Sequence, residues 1–458
     1  MTEAEARRIL ALPPDQAIAI ILDLGEKAEQ YEQLVGTVPP TTPSGMTPVY
    51  LKPAAPLSRK KRPGRPQGHP GRARLRPVEV DQFQEHQLTQ CPHCQTPVQK
   101  SITRYQRTIE DIPPVEKPQV TQHTVHGYWC RTCQRIVYPP VTEALPKAVI
   151  GLRLVVFSAW LHYLVGVSVQ NVARIFSVFC QFQISPGGLT LAWMNLARLL
   201  EPRYRDYAAQ IAQSAVLHAD ETGWRLNGRT HWLWCFATRT ISYYLITPGR
   251  GSPVIHQVLG QFFRGILICD FWGAYNKIGA LAKQRCFFHL FTELVKVDQH
   301  NRSLAWKTFR KTLSRLLKDA VRLSERKPSP SAEVYARRLE RLKSRLSLLL
   351  EADYPDHDVR RLLKRLKRHR NELFTFLEHE NVSPYNNHAE QQMRKPVLIR
   401  KVSQQNRSDQ GAQTQAILMT LFRTADLQSE NPVESVLALA QAFLRKDQSQ
   451  VITLKLAA

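Results

Sequence analysis

The sequence predicts a mixed α/β core built on a sheet, interrupted by an all-α insertion and preceded by smaller modules. Three observations carry this reading. Two short apolar runs, Ala215-Val-Leu-His-Ala219 and Gly265-Ile-Leu-Ile-Cys269, lead directly into the carboxylates Asp220 and Asp270 and read as buried strands. Between them, His231 to Thr238 and Ile241 to Thr247 are β-rich runs separated only by Arg239 and Thr240, the length of a tight hairpin, and a helix is expected from Val254 to Phe263. Beyond Asp270, helical runs over Ser303 to Arg326, Ala332 to Glu351 and Asp358 to His379 fill the segment before a third acid, Glu390. Strand with acid, hairpin, helix, strand with acid is the order of a ribonuclease H-like core, in which two carboxylates meet at adjoining strand ends.

A chain of 458 residues has room for about two to four domains. Its 63 Lys plus Arg against 38 Asp plus Glu give a formal charge of +25, a field that concentrates polyanions, so nucleic acid is the first partner expected. Eight cysteines are too few for a disulfide scaffold and imply a reducing, cytoplasmic setting. The N-terminus has no apolar signal core, and the most apolar stretch, Leu154 to Val167, is shorter than the roughly 20 residues a membrane helix needs and contains His162. No membrane association is expected.

The predicted organisation starts with a helix in 1–36, where Ala17, Ile21, Leu24, Ala28, Tyr31 and Val35 draw a narrow apolar seam that suits either a docked helix or a dimerisation helix. Residues 37–80 form a Pro-rich linker and then a basic arm with Arg62, Arg65, Arg72 and Arg74, which could enter a minor groove or act as a tether on phosphates. In 81–142, Cys91-Pro-His-Cys94 and Cys130-Arg-Thr-Cys133 have the form of two knuckles on one zinc, with a β-hairpin between them and His93 as a bystander. The separation of the pairs exceeds the roughly 15 to 20 residues common at such sites. Residues 143–213 are helical, over Leu152 to Leu164, Val169 to Phe179 and Leu189 to Leu200, as either a packing domain or a helix-turn-helix. The core occupies 214–294 and 384–458, around the insertion at 295–383.

The three acids have a common chemical rationale. Attack on a phosphodiester builds negative charge on the entering and leaving oxygens, and two oxygen-ligated cations, Mg²⁺ or Mn²⁺, stabilise both. Each acid also has a plainer reading: Asp220 could cap a turn, Asp270 could sit in a loop, and Asn387-x-x-Glu390 has capping-box spacing at the start of a short helix ended by Pro396. Glu221, beside Asp220, is expected to point away from the site. Cys286 is read as core and His289 as a neighbour of DNA phosphate. On the third insertion helix, Arg361, Lys364, Arg365 and Arg368 suit a DNA-facing surface, while Arg394, Lys395, Arg400 and Lys401 could clamp the backbone or be ordinary surface charge. Trp224, Trp232 and Trp234 are expected in the core rather than as base-stacking platforms.

Several motifs converge. Leu217-His-Ala-Asp-Glu-Thr222, Asp270-x-x-Gly-Ala-Tyr-Asn276, Arg285-Cys-x-x-His289, Asn386-Asn-x-Ala-Glu390 with Arg394 and Pro396, and Arg400-Lys401 followed by Gly411-Ala412 make the chain resemble the insertion-sequence 66 family of bacterial DDE transposases. The resemblance spans most of the chain, with an arm more arginine-rich than that family's pattern. It implies Asp220, Asp270 and Glu390 as a catalytic triad on magnesium, DNA strand cleavage and strand transfer, and action on the inverted repeats of a mobile element and on target DNA. A homodimer is expected, since two ends must be held together, as is a nucleoid-associated location. The competing readings are a zinc-ribbon DNA-binding regulator without catalytic activity, and a nuclease that cuts without joining.

Overall fold

The structure is a computed structural model that describes residues 9–18, 20–23, 26, 79–98, 103–109, 117–325, 331–403 and 405–451. Arg62, Arg65, Arg72 and Arg74 of the basic arm lie outside the described residues, as does the apolar seam beyond Ile21. Two three-residue strands, β1 (Tyr128–Cys130) and β2 (Arg135–Val137), pair antiparallel around the second cysteine pair. Then come α1 (Leu152–Trp160), prolonged by a π-helical turn over Leu161–Val165, α2 (Val169–Phe179) and α3 (Pro186–Ala212). Ser168 and Ser185 cap α2 and α3 by accepting from the N–H groups of Asn171 and Gly188. Helix α3 runs past the expected end at Leu200, through Pro202, because Tyr207 and Ile211 continue its buried face.

The sheet comprises β3 (Val216–Leu226), β4 (Arg229–Ala237), β5 (Ser242–Thr247), β6 (Phe262–Cys269) and β7 (Gly279–Arg285), with α4 (Ser252–Leu259) between β5 and β6. Its order is β5-β4-β3-β6-β7; β3, β4 and β5 are antiparallel neighbours, while β6 lies parallel to both β3 and β7. This five-stranded mixed sheet is compatible with a ribonuclease H-like core. Strand β3 does not stop at Asp220 as expected but continues to Leu226, because its pairing with β4 extends from His218 to Leu226. Helix α4 ends earlier than expected: Gly260 sits at φ 75°, a conformation that glycine adopts without strain, and Phe262 and Phe263 become strand.

Gly265 lies at the irregularity in the β6–β7 pairing, where a Cβ would meet the Ser214 carbonyl oxygen at 2.2 Å and that of Ala215 at 2.8 Å. Gly265→Ala is therefore expected to destabilise the protein by roughly 1–3 kcal/mol, read as a lower midpoint in urea with an unchanged slope. The outer edge at β5 is covered rather than bare. The Tyr244 and Ser242 N–H groups donate to the hydroxyls of Thr420 and Thr424, at 3.0 and 3.2 Å.

After β7 come α5 (Phe287–Asp298), then α6 (Leu304–Glu325), α7 (Ala332–Glu351) and α8 (His357–Arg368) of the insertion. The expected third run to His379 breaks after Arg368 into a 3₁₀ turn at Arg370–Glu372 and a short turn of helix at Thr375–Glu378. The break has a cause in tertiary pairing, since the His369 ring bonds Glu372, which in turn holds Arg285. The chain closes with α9 (Asn387–Ser403), α10 (Asp409–Leu427) and α11 (Pro432–Val451). Pro396 does not end α9. The carbonyl it cannot bond, that of Gln392, accepts the Tyr244 hydroxyl at 2.9 Å instead.

The sheet separates two cores. Leu217, Ala219, Leu267 and Cys269 join the side chains of α1, α3, α10 and α11 on one face, whereas Ile266 and Ile268 join α5 to α8 on the other. Helices α1 to α3 thus share an apolar core with the sheet.

Candidate active site

Side chains of β3 alternate. Leu217, Ala219 and Glu221 are buried, while Val216, His218, Asp220 and Thr222 are half-buried on the other face, where Val216 packs against the second core. The parallel pairing of β3 with β6 matches Val216 to Ile266 and His218 to Ile268. Carried two residues further, that register sets Asp220 level with Asp270, the residue at which β6 has just ended. Asp270 Oδ1 also accepts from the Trp272 N–H at 2.8 Å, so Asp270 braces its own turn.

Glu390 enters from α9, and Asn386, fully buried ahead of that helix, fixes its approach. The Asn386 amide donates to the Ala219 carbonyl at 2.8 Å, its side-chain oxygen accepts from His218 Nδ1 at 3.1 Å, and its backbone N–H donates to Cys286 Sγ at 3.2 Å. One residue thereby binds α9 both to the acid-bearing strand and to the start of α5. Glu390 Oε1 is buried and has no hydrogen-bond partner, so that oxygen makes no capping-box bond.

Electrostatics link the acids. Burial first, and then the charges of Glu221, Asp270 and Glu390, hold the Asp220 carboxyl well above the usual carboxylate range. Mutual repulsion of this kind is relieved by a cation. The three acids do not all lie within 4.8 Å of one another, the spacing that one shared ion would bring. Two ions roughly 3.5–4 Å apart need a wider set of ligands.

Glu221 does point away, into a buried network. Its Oε1 accepts from Arg250 Nε and Nη2 at 3.1 and 3.0 Å, and its Oε2 accepts from the Tyr275 hydroxyl at 2.7 Å. Burial, and then the charge of Asp270, push the Glu221 carboxyl up to about 7. The Arg250 guanidinium lies between the rings of Trp232 and Trp272, at 4.4 and 4.0 Å from their centroids. Arg250 and Trp272 escaped the sequence reading; the one available signal was that a buried acid such as Glu221 requires a cationic partner. Trp224 and Trp234 are fully buried, as expected, while Trp232 is half-buried under Arg250.

Arg285, fully buried, ties the turn after β6 to the insertion. It donates to Glu372 Oε2 at 2.5 Å, to the Asp270 carbonyl at 2.7 Å and to Asn276 Oδ1 at 2.8 Å. His289 stands beside Glu390, with Nδ1 and Oε1 3.8 Å apart. Of the expected DNA contacts, Arg361 and Arg365 both pair with Glu293. Lys364, Arg368, Arg394 and Lys401 are exposed, and Lys395 is half-buried. Arg400 donates to Thr222 Oγ1 at 3.2 Å and to the Gly223 carbonyl, which anchors α9 on β3.

In the cysteine module, each pair forms a tight turn. The Cys133 N–H donates to Cys130 Sγ at 3.4 Å, and Gln95 and Gln134, which follow the pairs, have φ of 59° and 54°. A Thr96 hydroxyl, foremost among several hydrogen-bonding groups, lowers the Cys94 thiol to about 7. Among the described residues the pairs are not gathered into one ligand set, and the group of three His, Cys, Asp or Glu that does lie within 4.8 Å is Cys286, His289 and Glu390.

A mixed five-stranded sheet bearing acids, in a chain of formal charge +25, has the character of a DNA-processing α/β protein. The family model described as Transposase IS66 family matches residues 147–414, and the chain belongs to that family. The match takes in the sheet, the acids and the insertion, and begins after the cysteine pairs. No curated protein matches the chain. Family membership implies a DNA transposase and hence DNA binding. Among the described residues no helix is long and apolar enough to cross a membrane.

Proposed function

We propose that the chain is a DDE transposase that cuts and joins DNA with Asp220, Asp270 and Glu390 holding two Mg²⁺ or Mn²⁺ ions on a ribonuclease H-like core. The observation that carries this reading is the β3–β6 register, which brings Asp220 and Asp270 level on neighbouring strands, with Glu390 near enough for its charge to act on Asp220. The carboxylates supply hard oxygen ligands. The bound ions would stabilise the charge on the entering and leaving oxygens of the phosphodiester. Asn386 holds α9 against β3, Arg285 fixes the turn carrying Asp270, and the Arg250–Glu221–Tyr275 network supports the sheet behind Asp220.

The test supplies end DNA of the mobile element with a free 3′ hydroxyl, a plasmid target and Mg²⁺. A covalently joined product is expected. DNA bound but uncut identifies a regulator, and DNA cut without joining identifies a nuclease.

The exposed cations supply affinity rather than chemistry. Replacing Arg62, Arg65, Arg72 and Arg74 by alanine is expected to reduce the slope of log affinity against log salt by up to about four, if each meets a phosphate. For Arg361, Lys364, Arg365 and Arg368 the expected change is about two, since Glu293 already pairs two of them. An unchanged slope in either variant assigns that segment to a solvated face. Cys91, Cys94, Cys130 and Cys133 are read as a structural zinc module, whose two pairs, not gathered into one ligand set in this structure, would have to close together on the ion. Two linked copies would hold two ends, and the free thiols suit the reducing cytoplasm.

A further inference from the structure

We propose that Cys286, His289 and Glu390 form a second metal site, for a zinc-class divalent cation, at the junction of α5 and α9. The site stands on its own geometry; its sharing of Glu390 with the catalytic ions rests on the transposase reading. Its Cys Sγ, His nitrogen and carboxylate oxygen all lie within 4.8 Å of one another. Two of these atoms, His289 Nδ1 and Glu390 Oε1, are buried without any hydrogen-bond partner. A buried polar atom left unsatisfied forfeits its hydration without return, so both atoms call for a partner. Their separation of 3.8 Å is too long for a hydrogen bond. It does suit two ligands of one ion, since metal bonds of roughly 2.0–2.2 Å in tetrahedral array hold ligand atoms about 3.4 Å apart.

The third ligand is held in place by its surroundings. Cys286 immediately precedes α5, and backbone N–H groups of Asn386, His289 and Phe288 point at its Sγ. These N–H groups would go on donating to a sulfur bound to a cation, the outer support that metal ligands commonly have. The Cys-x-x-His spacing places sulfur and imidazole on the same helical turn, and Asn386 brings in the first turn of α9 with Glu390. A set of sulfur, nitrogen and oxygen favours Zn²⁺ or Co²⁺ over Mg²⁺, which prefers oxygens alone. Binding releases the thiol proton. The His289 and Glu390 side chains are 38% and 28% exposed, which leaves an entry path and room for a fourth ligand.

The experiment loads the full-length protein with Co²⁺ or Zn²⁺, removes loosely held metal, and counts tightly bound ions by elemental analysis. His289→Gln and Cys286→Ser are each expected to hold about one ion per chain fewer than the wild type, whatever the other cysteines bind. Cobalt-loaded Cys286→Ser should also lose part of the thiolate-to-cobalt absorption. Asp220→Asn should retain the ion. Equal counts in wild type and in folded His289→Gln, which alters a half-exposed position, would overturn the site, as would loss of the ion in Asp220→Asn. Should Asp220→Asn keep full cleavage activity, the transposase mechanism fails while the metal site stands.

Discussion

Asp220→Asn, Asp270→Asn and Glu390→Gln are each expected to lower strand cleavage by on the order of 10³-fold or more while end-DNA binding persists. Each substitution removes a charged ligand from ions that contribute several kcal/mol of transition-state stabilisation, and about 1.4 kcal/mol is tenfold in rate. Stability should move the opposite way at Asp220. Its carboxyl is held well above the usual range, by burial first and then by Glu221, Asp270 and Glu390. An acid raised in the folded state supports folding below its unfolded value of roughly 3.9, and that support is lost as pH rises through the folded value. At neutral pH and without metal, Asp220→Asn should therefore be at least as stable as the wild type, with a flatter stability profile above about pH 4. Purely structural acids predict the reverse, namely unfolding in all three variants together with normal chemistry in any that fold.

Arg285→Met is expected to cost about 3–5 kcal/mol, because it takes the buried cation from Glu372, leaving that acid with His369 alone, and leaves the Asp270 carbonyl and Asn276 Oδ1 without its N–H groups. Burial alone would raise the Glu372 carboxyl. The His369 hydrogen bond, and then the charge and hydrogen bond of Arg285, outweigh it and hold the group at about 2. A depressed acid stabilises the fold above its unfolded pKa of roughly 4.5, and that contribution fades as pH falls toward 2. It is on the order of 3 kcal/mol. Urea titrations between about pH 5 and pH 2.5 should show a steep acid limb in the wild type and a shallower one in Arg285→Met and Glu372→Gln. Equal limbs would separate Glu372 from acid stability.

The strands that carry the acids were legible because they are apolar runs ending in a charge, a pattern that survives without tertiary information. Strand β7 was not. Its buried Gln284 and Arg285 rely on groups far along the chain, Gln284 on the Phe376 N–H and the Leu373 carbonyl and Arg285 on Glu372, and so Gly279–Arg285 lacks an apolar pattern. The same reason hides the break after Arg368 and the passage of α9 through Pro396, both of which depend on partners far along the chain. Expected DNA contacts were legible as charge but not as free charge. Periodicity marks Arg361 and Arg365 as surface residues without showing Glu293 beside them. Likewise Cys286 and His289 form a recognisable spacing, yet their third companion, Glu390, comes from another helix and no local pattern announces it.

The central claim is that Asp220, Asp270 and Glu390 share divalent ions at the point where DNA is cut. Crystals of the full-length protein with end DNA, soaked in Mn²⁺, test it through the anomalous signal of manganese. Two peaks roughly 3.5–4 Å apart, each within bonding distance of at least one of the three carboxylates and flanking a phosphate, are the result expected. Manganese bound elsewhere, with the three carboxylates vacant beside the scissile phosphate, would contradict it.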